Sequence, residues 1–120
     1  MKPDSYIPLY GNEFLSAVRG HSDTVSMAYL RAIWFYWSST HCKGLRDDME
    51  YLRRICECDK SEWEEVVTVV FDNDAFFTLG EDGLWHQKRA AIEWEKSMKS
   101  YEAKVNAGRL GGLSRRRKRK

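Results

Sequence analysis

Apolar and polar positions divide the chain into a series of short periods. After an aromatic opening, Tyr6-Ile7-Pro8-Leu9-Tyr10, Pro8 disfavours helix at Ile7, so that segment is expected to be extended. Asn12 can cap a short helix ending near Val18, with Gly20 as its stop. Ser22 or Asp23 starts a longer helix to about Ser39. Its apolar residues Val25, Met27, Ala28, Leu30, Ile33, Trp34 and Trp37 cover more than one face, which marks the central, most buried helix. Gly44 breaks the chain. Asp47 is then expected to cap a helix with Met49, Leu52, Ile55 and Cys56 at three-to-four spacing. Asp59 or Ser61 caps the next helix, whose stripe is Trp63, Val66, Val67, Val70 and Phe71. The short turn between these two helices suits a helix-turn-helix.

Beyond residue 75 the period changes. Phe76-Phe77-Thr78-Leu79 and Leu84-Trp85-His86-Gln87 flank Gly80-Glu81-Asp82-Gly83, the pattern of a β-hairpin. A last helix is expected over 88–107, ended by Gly108, Gly111 and Gly112. The expected fold is therefore mainly α with a small β-hairpin. Three helices followed by a two-stranded wing is the winged-helix order. The expected domains are a winged-helix-like body over 1–108, including the helix 88–107, and a disordered, flexible basic tail over 109–120.

Charge sharpens this picture. The net charge of +2 hides a division: from Arg109 onward there are seven cations and no acid, whereas residues 1–108 carry 13 cations and 18 acids, a net −5. The cations Arg109, Arg115, Arg116, Arg117, Lys118, Arg119 and Lys120 can bind phosphate by displacing condensed counterions, an attraction that ignores base sequence. His86, Lys88 and Arg89, where the wing meets the last helix, could add to such a surface. Lys43, Arg46, Arg53 and Arg54 could extend it, or form local ion pairs on a solvated face. The second helix of the helix-turn-helix offers Glu62, Glu64, Glu65 and Thr68 instead. Carboxylates repel phosphate, so this face is expected to stay out of a DNA groove and to serve, if anything, a protein partner.

The last helix has a narrow 3-4 seam, Ala91, Trp94, Met98, Tyr101 and Val105. It fits a coiled-coil contact between two copies, and equally a helix packed back on its own body. His41, Cys42, Cys56 and Cys58 are of metal-ligating type, but their spacing fits no common zinc pattern, so no metal or other cofactor is expected. There is no P-loop, nucleophile elbow or paired-histidine motif, and an enzyme is not expected. At 42% hydrophobic the chain can bury a core. Its longest apolar run is far too short to span a membrane and no signal-peptide core follows Lys2. Three cysteines, an odd number, argue against a disulfide framework. Together these imply a cytoplasmic protein without a membrane partner.

Several short motifs resemble one family. They are Tyr6-Ile7-Pro8-Leu9-Tyr10; Ala28-Tyr29-Leu30-Arg31 followed by Trp34 and Trp37; and Leu45-Arg46-Asp47-Asp48 at the entry to a helix. Asp82-Gly83-Leu84-Trp85-His86-Gln87-Lys88-Arg89 at the hairpin exit and Ala107-Gly108-Arg109-Leu110-Gly111-Gly112-Leu113 complete the set. In these the chain resembles the N-terminal domain of phage and prophage replication-initiation proteins, the YdaU-like family of unknown function. The resemblance implies a winged-helix-like fold and a role near the initiation of replication. The expected function is a DNA-binding accessory of replication initiation that holds duplex or single strands nonspecifically through its basic tail. The alternative is an adaptor whose Glu62, Glu64 and Glu65 face docks a replication or host protein.

Overall fold

A computed structural model describes residues 11–72 and 76–118, with 113–118 described by their backbone alone. The extended segment expected at Tyr6 to Tyr10 lies outside these residues. The elements run α1 (Gly11–Val18), α2 (Asp23–Ser38), β1 (Leu45–Arg46), α3 (Met49–Ile55), α4 (Lys60–Val70), β2 (Thr78–Leu79), β3 (Leu84–His86) and α5 (Lys88–Lys118). The chain is mainly helical, with a small three-stranded antiparallel sheet and a long C-terminal helix.

Capping explains where the helices begin. The Ser22 side chain accepts the Val25 N–H and opens α2. Asp48, not Asp47, accepts the Tyr51 N–H and caps α3. Asp47 is turned instead to the Trp85 indole, whose Nε1–H it accepts at 2.9 Å. Asp59 is the N-cap residue of α4, without a side-chain cap bond. At α5, the Gln87 amide oxygen accepts the Ala90 N–H at 2.6 Å while its nitrogen donates to the Tyr29 hydroxyl at 3.0 Å. That one side chain therefore ties the start of α5 to α2.

The hairpin forms where expected, and a third strand joins it. β3 lies between β1 and β2, with Leu45 opposite Trp85, Arg46 opposite Leu84, Thr78 opposite His86 and Leu79 opposite Trp85. β1 was not foreseen, because two residues have no period and their partner lies 40 residues away. Gly44, at φ 128°, allows this closeness: a Cβ there would sit 2.6 Å from the Leu84 Cβ.

The core gathers between α2, α4 and the sheet. Val25, Ala32, Tyr36, Trp37, Leu45, Leu52, Val66, Val70 and Phe77 are all but inaccessible. Phe77 is the hub of an aromatic cluster, its ring 5.9 Å from Tyr36, 6.1 Å from Tyr29 and 5.2 Å from Phe71. Phe71 in turn meets Trp85 at 5.7 Å. The α4 stripe turns inward as its spacing requires, with Val66 and Val70 buried and Trp63 and Val67 half-buried. One expectation for α2 is corrected. It is central but not buried all round, since Met27 and Trp34 remain 44% and 49% exposed.

The largest difference from the expected fold is the end of α5. Helix was expected to stop near 107 and release a disordered tail, yet α5 runs through Gly108, Gly111 and Gly112 to Lys118. Glycine in a helix costs only about 1 kcal/mol relative to alanine and keeps its N–H, so glycines weaken a helix without stopping it. The cations at 115–118 favour continuation, because positive charge stabilises a helix C-terminus. A helix of this length is about 46 Å long. It exceeds the two narrower dimensions of the molecule, which measures 70 × 30 × 23 Å.

Candidate functional site

α5 is rooted at one end and bare at the other. Ala90 is buried, and Trp94 meets Trp37 edge to face at 4.9 Å and stacks on His41 at 4.9 Å with the rings 10° apart. His41 reaches that place from a left-handed turn at His41 and Cys42 after α2. Of the expected seam, Ala91, Trp94, Met98 and Tyr101 are partly covered, whereas Val105 is 42% exposed. The proximal half of the seam thus includes a contact with the chain's own body through Trp94. Every residue from Glu102 to Gly112 is exposed.

Charge changes along the same helix. Near its start Glu93, only 8% exposed, lies 3.4 Å from Arg89 Nε and 3.9 Å from Lys96 Nζ, and Lys99 reaches Glu95 at 3.3 Å. Glu102 is the last acid, and beyond it come Lys104, Arg109 and the run 115–120. The helical backbone carries Arg115, Arg116, Arg117 and Lys118; Arg119 and Lys120 lie outside the described residues. The basic end therefore extends from the body as helix, with no acid to neutralise it in sequence. A rod of cations leaving an acidic body can meet polyphosphate without bringing the body's carboxylates close.

The three residues at the hairpin exit have different surroundings. His86 is held inside the fold, its Nε2 2.9 Å from Asp82 Oδ2 and its Nδ1 2.9 Å from the Tyr36 hydroxyl. The ring thus serves to lock the hairpin turn to α2. Arg89 is within ion-pair distance of Glu93 and, at 3.7 Å, of Glu13. Lys88 is exposed at the first position of α5. The other suggested cations are drawn into local contacts. Arg53 donates to Glu50 at 3.1 Å and to the Cys58 carbonyl at 2.9 Å, Arg54 is 3.4 Å from Glu50, and Arg46 lies over the Tyr51 ring at 4.4 Å. Lys43 is exposed in the loop before β1. On α4, Glu62, Glu64 and Glu65 all face solvent, with Glu65 accepting from the Ser22 hydroxyl at 2.9 Å.

The Asp82 link gives a pH dependence. The hydrogen bond from His86, then the Leu84 N–H, holds the Asp82 carboxyl below its ordinary value. A carboxyl depressed in the folded state contributes stability above the unfolded value, near 4, and loses it as pH falls through the folded value. Asp82→Asn is therefore expected to flatten the acid limb of a thermal-stability profile below about pH 4. An unchanged acid limb would show that the bond contributes nothing.

Burial pushes the Cys42 and Cys56 thiols up to about 12 each, and raises Cys58 as well. All three are free. Because the thiolate is the reactive form, iodoacetamide at pH 8 is expected to label Cys42 and Cys56 on the order of a thousandfold more slowly in the native protein than in urea. Equal rates would contradict that burial. Among the described residues no three metal-ligating side chains come together, and no helix is long and apolar enough to cross a membrane.

The class of the molecule is thus a mainly helical domain with a three-stranded sheet and an extended, basic-ended C-terminal helix. The chain belongs to the family described as protein of unknown function (DUF1376), whose model matches residues 5–95. No curated protein and no solved structure matches it.

Proposed function

We propose that this protein is a nucleic-acid-binding accessory of replication initiation of phage or prophage type, holding DNA nonspecifically through the basic end of α5. The observation that carries this is the continuation of α5 as helix to Lys118, with acids on its proximal half and none after Glu102. Phosphates there would release counterions and relieve repulsion among neighbouring arginines, so binding and helix stability reinforce each other. The strand β1 beside the hairpin, between the first and second helices of the α2–α3–α4 set, supports the winged-helix reading. The carboxylates on α4 argue against the usual docking of a helix-turn-helix in the major groove. The replication setting rests on the motif resemblance alone, and a cytoplasmic location accords with it.

The test is fluorescence anisotropy with duplex and single-stranded oligonucleotides, comparing the full chain with residues 1–108. At low salt the shortened chain is expected to bind at least about 100-fold more weakly. Equal affinity would remove α5's basic end from the account, and no binding by either chain would remove nucleic acid altogether.

A second reading is an adaptor. The solvent-facing Glu62, Glu64 and Glu65 favour it, since three exposed carboxylates within one turn of α4 suit a basic protein partner. Charge reversal at these three positions should abolish recovery of such a partner, and unchanged recovery would count against it. Self-association through the exposed distal part of the α5 seam would double the basic ends and raise avidity.

A further inference from the structure

A groove of about 640 Å³ lies between α2 and α3, and none of its lining residues carries either reading above. Leu30, Trp34 and Phe35 form one wall and Tyr51 and Ile55 the other. Phe35 and Tyr51 close its floor edge to face, their rings 6.0 Å apart. Trp34 is 49% exposed, and Met27, about two turns earlier, is 44% exposed. Met27, Leu30 and Trp34 stand at i, i+3 and i+7, so the apolar stripe runs for two turns along α2. Exposed indole and thioether groups aligned with an open hollow are the mark of a surface kept for a partner.

Charge chooses the occupant. At the Tyr51 end Arg46 lies over that ring, and Arg54, which lines the groove, keeps its side chain 76% exposed while standing 3.4 Å from Glu50, a carboxylate it shares with Arg53. Arg31 is fixed at the rim by Glu57 at 3.2 Å and by the Cys56 carbonyl at 3.4 Å. The opposite end opens into a smaller hollow of about 270 Å³ that includes Asp23, Glu57 and Glu62. Those carboxylates, with the aliphatic walls of Leu30 and Ile55, disfavour a nucleic-acid strand, which needs cations along its whole track. A second copy could offer the exposed distal α5, but that segment is cationic and would meet Arg46 and Arg54. An apolar ridge with acids at one end fits throughout.

We infer that the α2–α3 groove receives an amphipathic helix of another protein, its apolar residues at i, i+4 and i+7 against Trp34 and Ile55 and its acidic end at Arg46 and Arg54. Grooves of this kind read a helix through a few apolar anchors, and Trp and Arg are the residues that dominate such contacts.

The probe is a synthetic 18-residue helical peptide with leucine or phenylalanine at those spacings and glutamates clustered at one end. It is titrated into the full chain and followed by anisotropy and by amide chemical shifts. Saturable binding is expected, with shifts centred on Leu30, Trp34, Tyr51 and Ile55. Trp34→Ala and Arg54→Glu should each weaken it at least tenfold; both side chains are exposed, and circular dichroism confirms folding. The acidic peptide can also meet the basic end of α5, but binding there does not depend on Trp34. The inference is overturned if neither substitution matters or if a lysine-substituted peptide binds as well. It is equally overturned if oligo(dT) produces the same Trp34-dependent shifts, or if those shifts appear on concentrating the chain alone.

Discussion

Replacing Trp37 with alanine is expected to lower the unfolding free energy by about 3–5 kcal/mol, the range for deleting a buried aromatic side chain. Trp37 is wholly buried, and its ring is the surface on which Trp94 rests at 4.9 Å. The substitution therefore removes core volume and loosens the root of α5 together. For a domain of this size 1 kcal/mol moves the melting temperature by roughly 4–8 °C, so a fall of at least about 12 °C should appear by circular dichroism. Trp37→Phe, which keeps a ring in the cavity, should lose markedly less. If the alanine variant melts within a few degrees of the parent, the packing of α5 on α2 has been misassigned. A chain that does not fold at all would agree with the upper end of the range, since total stabilities of small domains are only about 5–15 kcal/mol.

How far sequence reading reaches is clear from particular residues. The α4 stripe and the hairpin around Gly83 each carry a local rule that points one way, and the structure follows them, while of the two caps open at the start of α2 it uses Ser22. Asp47 and Asp48 are both good caps, and the choice between them depends on Trp85, 38 residues later, which takes Asp47 for its indole. β1 depends likewise on a distant partner. The glycines after Ala107 suggest a stop by local rule, yet nothing in glycine forbids a helix when arginines follow, and α5 continues. For the sites, the split of charge along the chain was visible from residue types alone. The α2–α3 groove was not, because its walls come from helices that meet only in the fold. Its one local signal is the excess of apolar residues around α2, a pattern that a fully buried helix also produces. Trp34 and Met27 are the part of that excess left outside the core.

The second large effect concerns salt. Seven cations follow Gly108, and each phosphate neutralised on duplex DNA contributes about −0.9 to the slope of log affinity against log salt concentration. If about five of the seven meet phosphates, the slope is about −4.5, and affinity drops on the order of 500-fold between 50 and 200 mM salt. Hairpin-exit contacts from Lys88 or Arg89 would add at most about 2 to the magnitude of that slope. His86, held between Asp82 and Tyr36, would add nothing.

Replacing Arg115, Arg116, Arg117 and Lys118 with glutamine keeps good helix formers on α5 while removing four charges. The most direct measurement is the salt dependence of duplex binding by this variant beside the parent, at matched temperature and pH. A loss of about 3–4 in the magnitude of the slope, with weaker binding at low salt, is the expected result. An unchanged slope would contradict the account, because it would place the DNA contacts somewhere other than the basic end of α5.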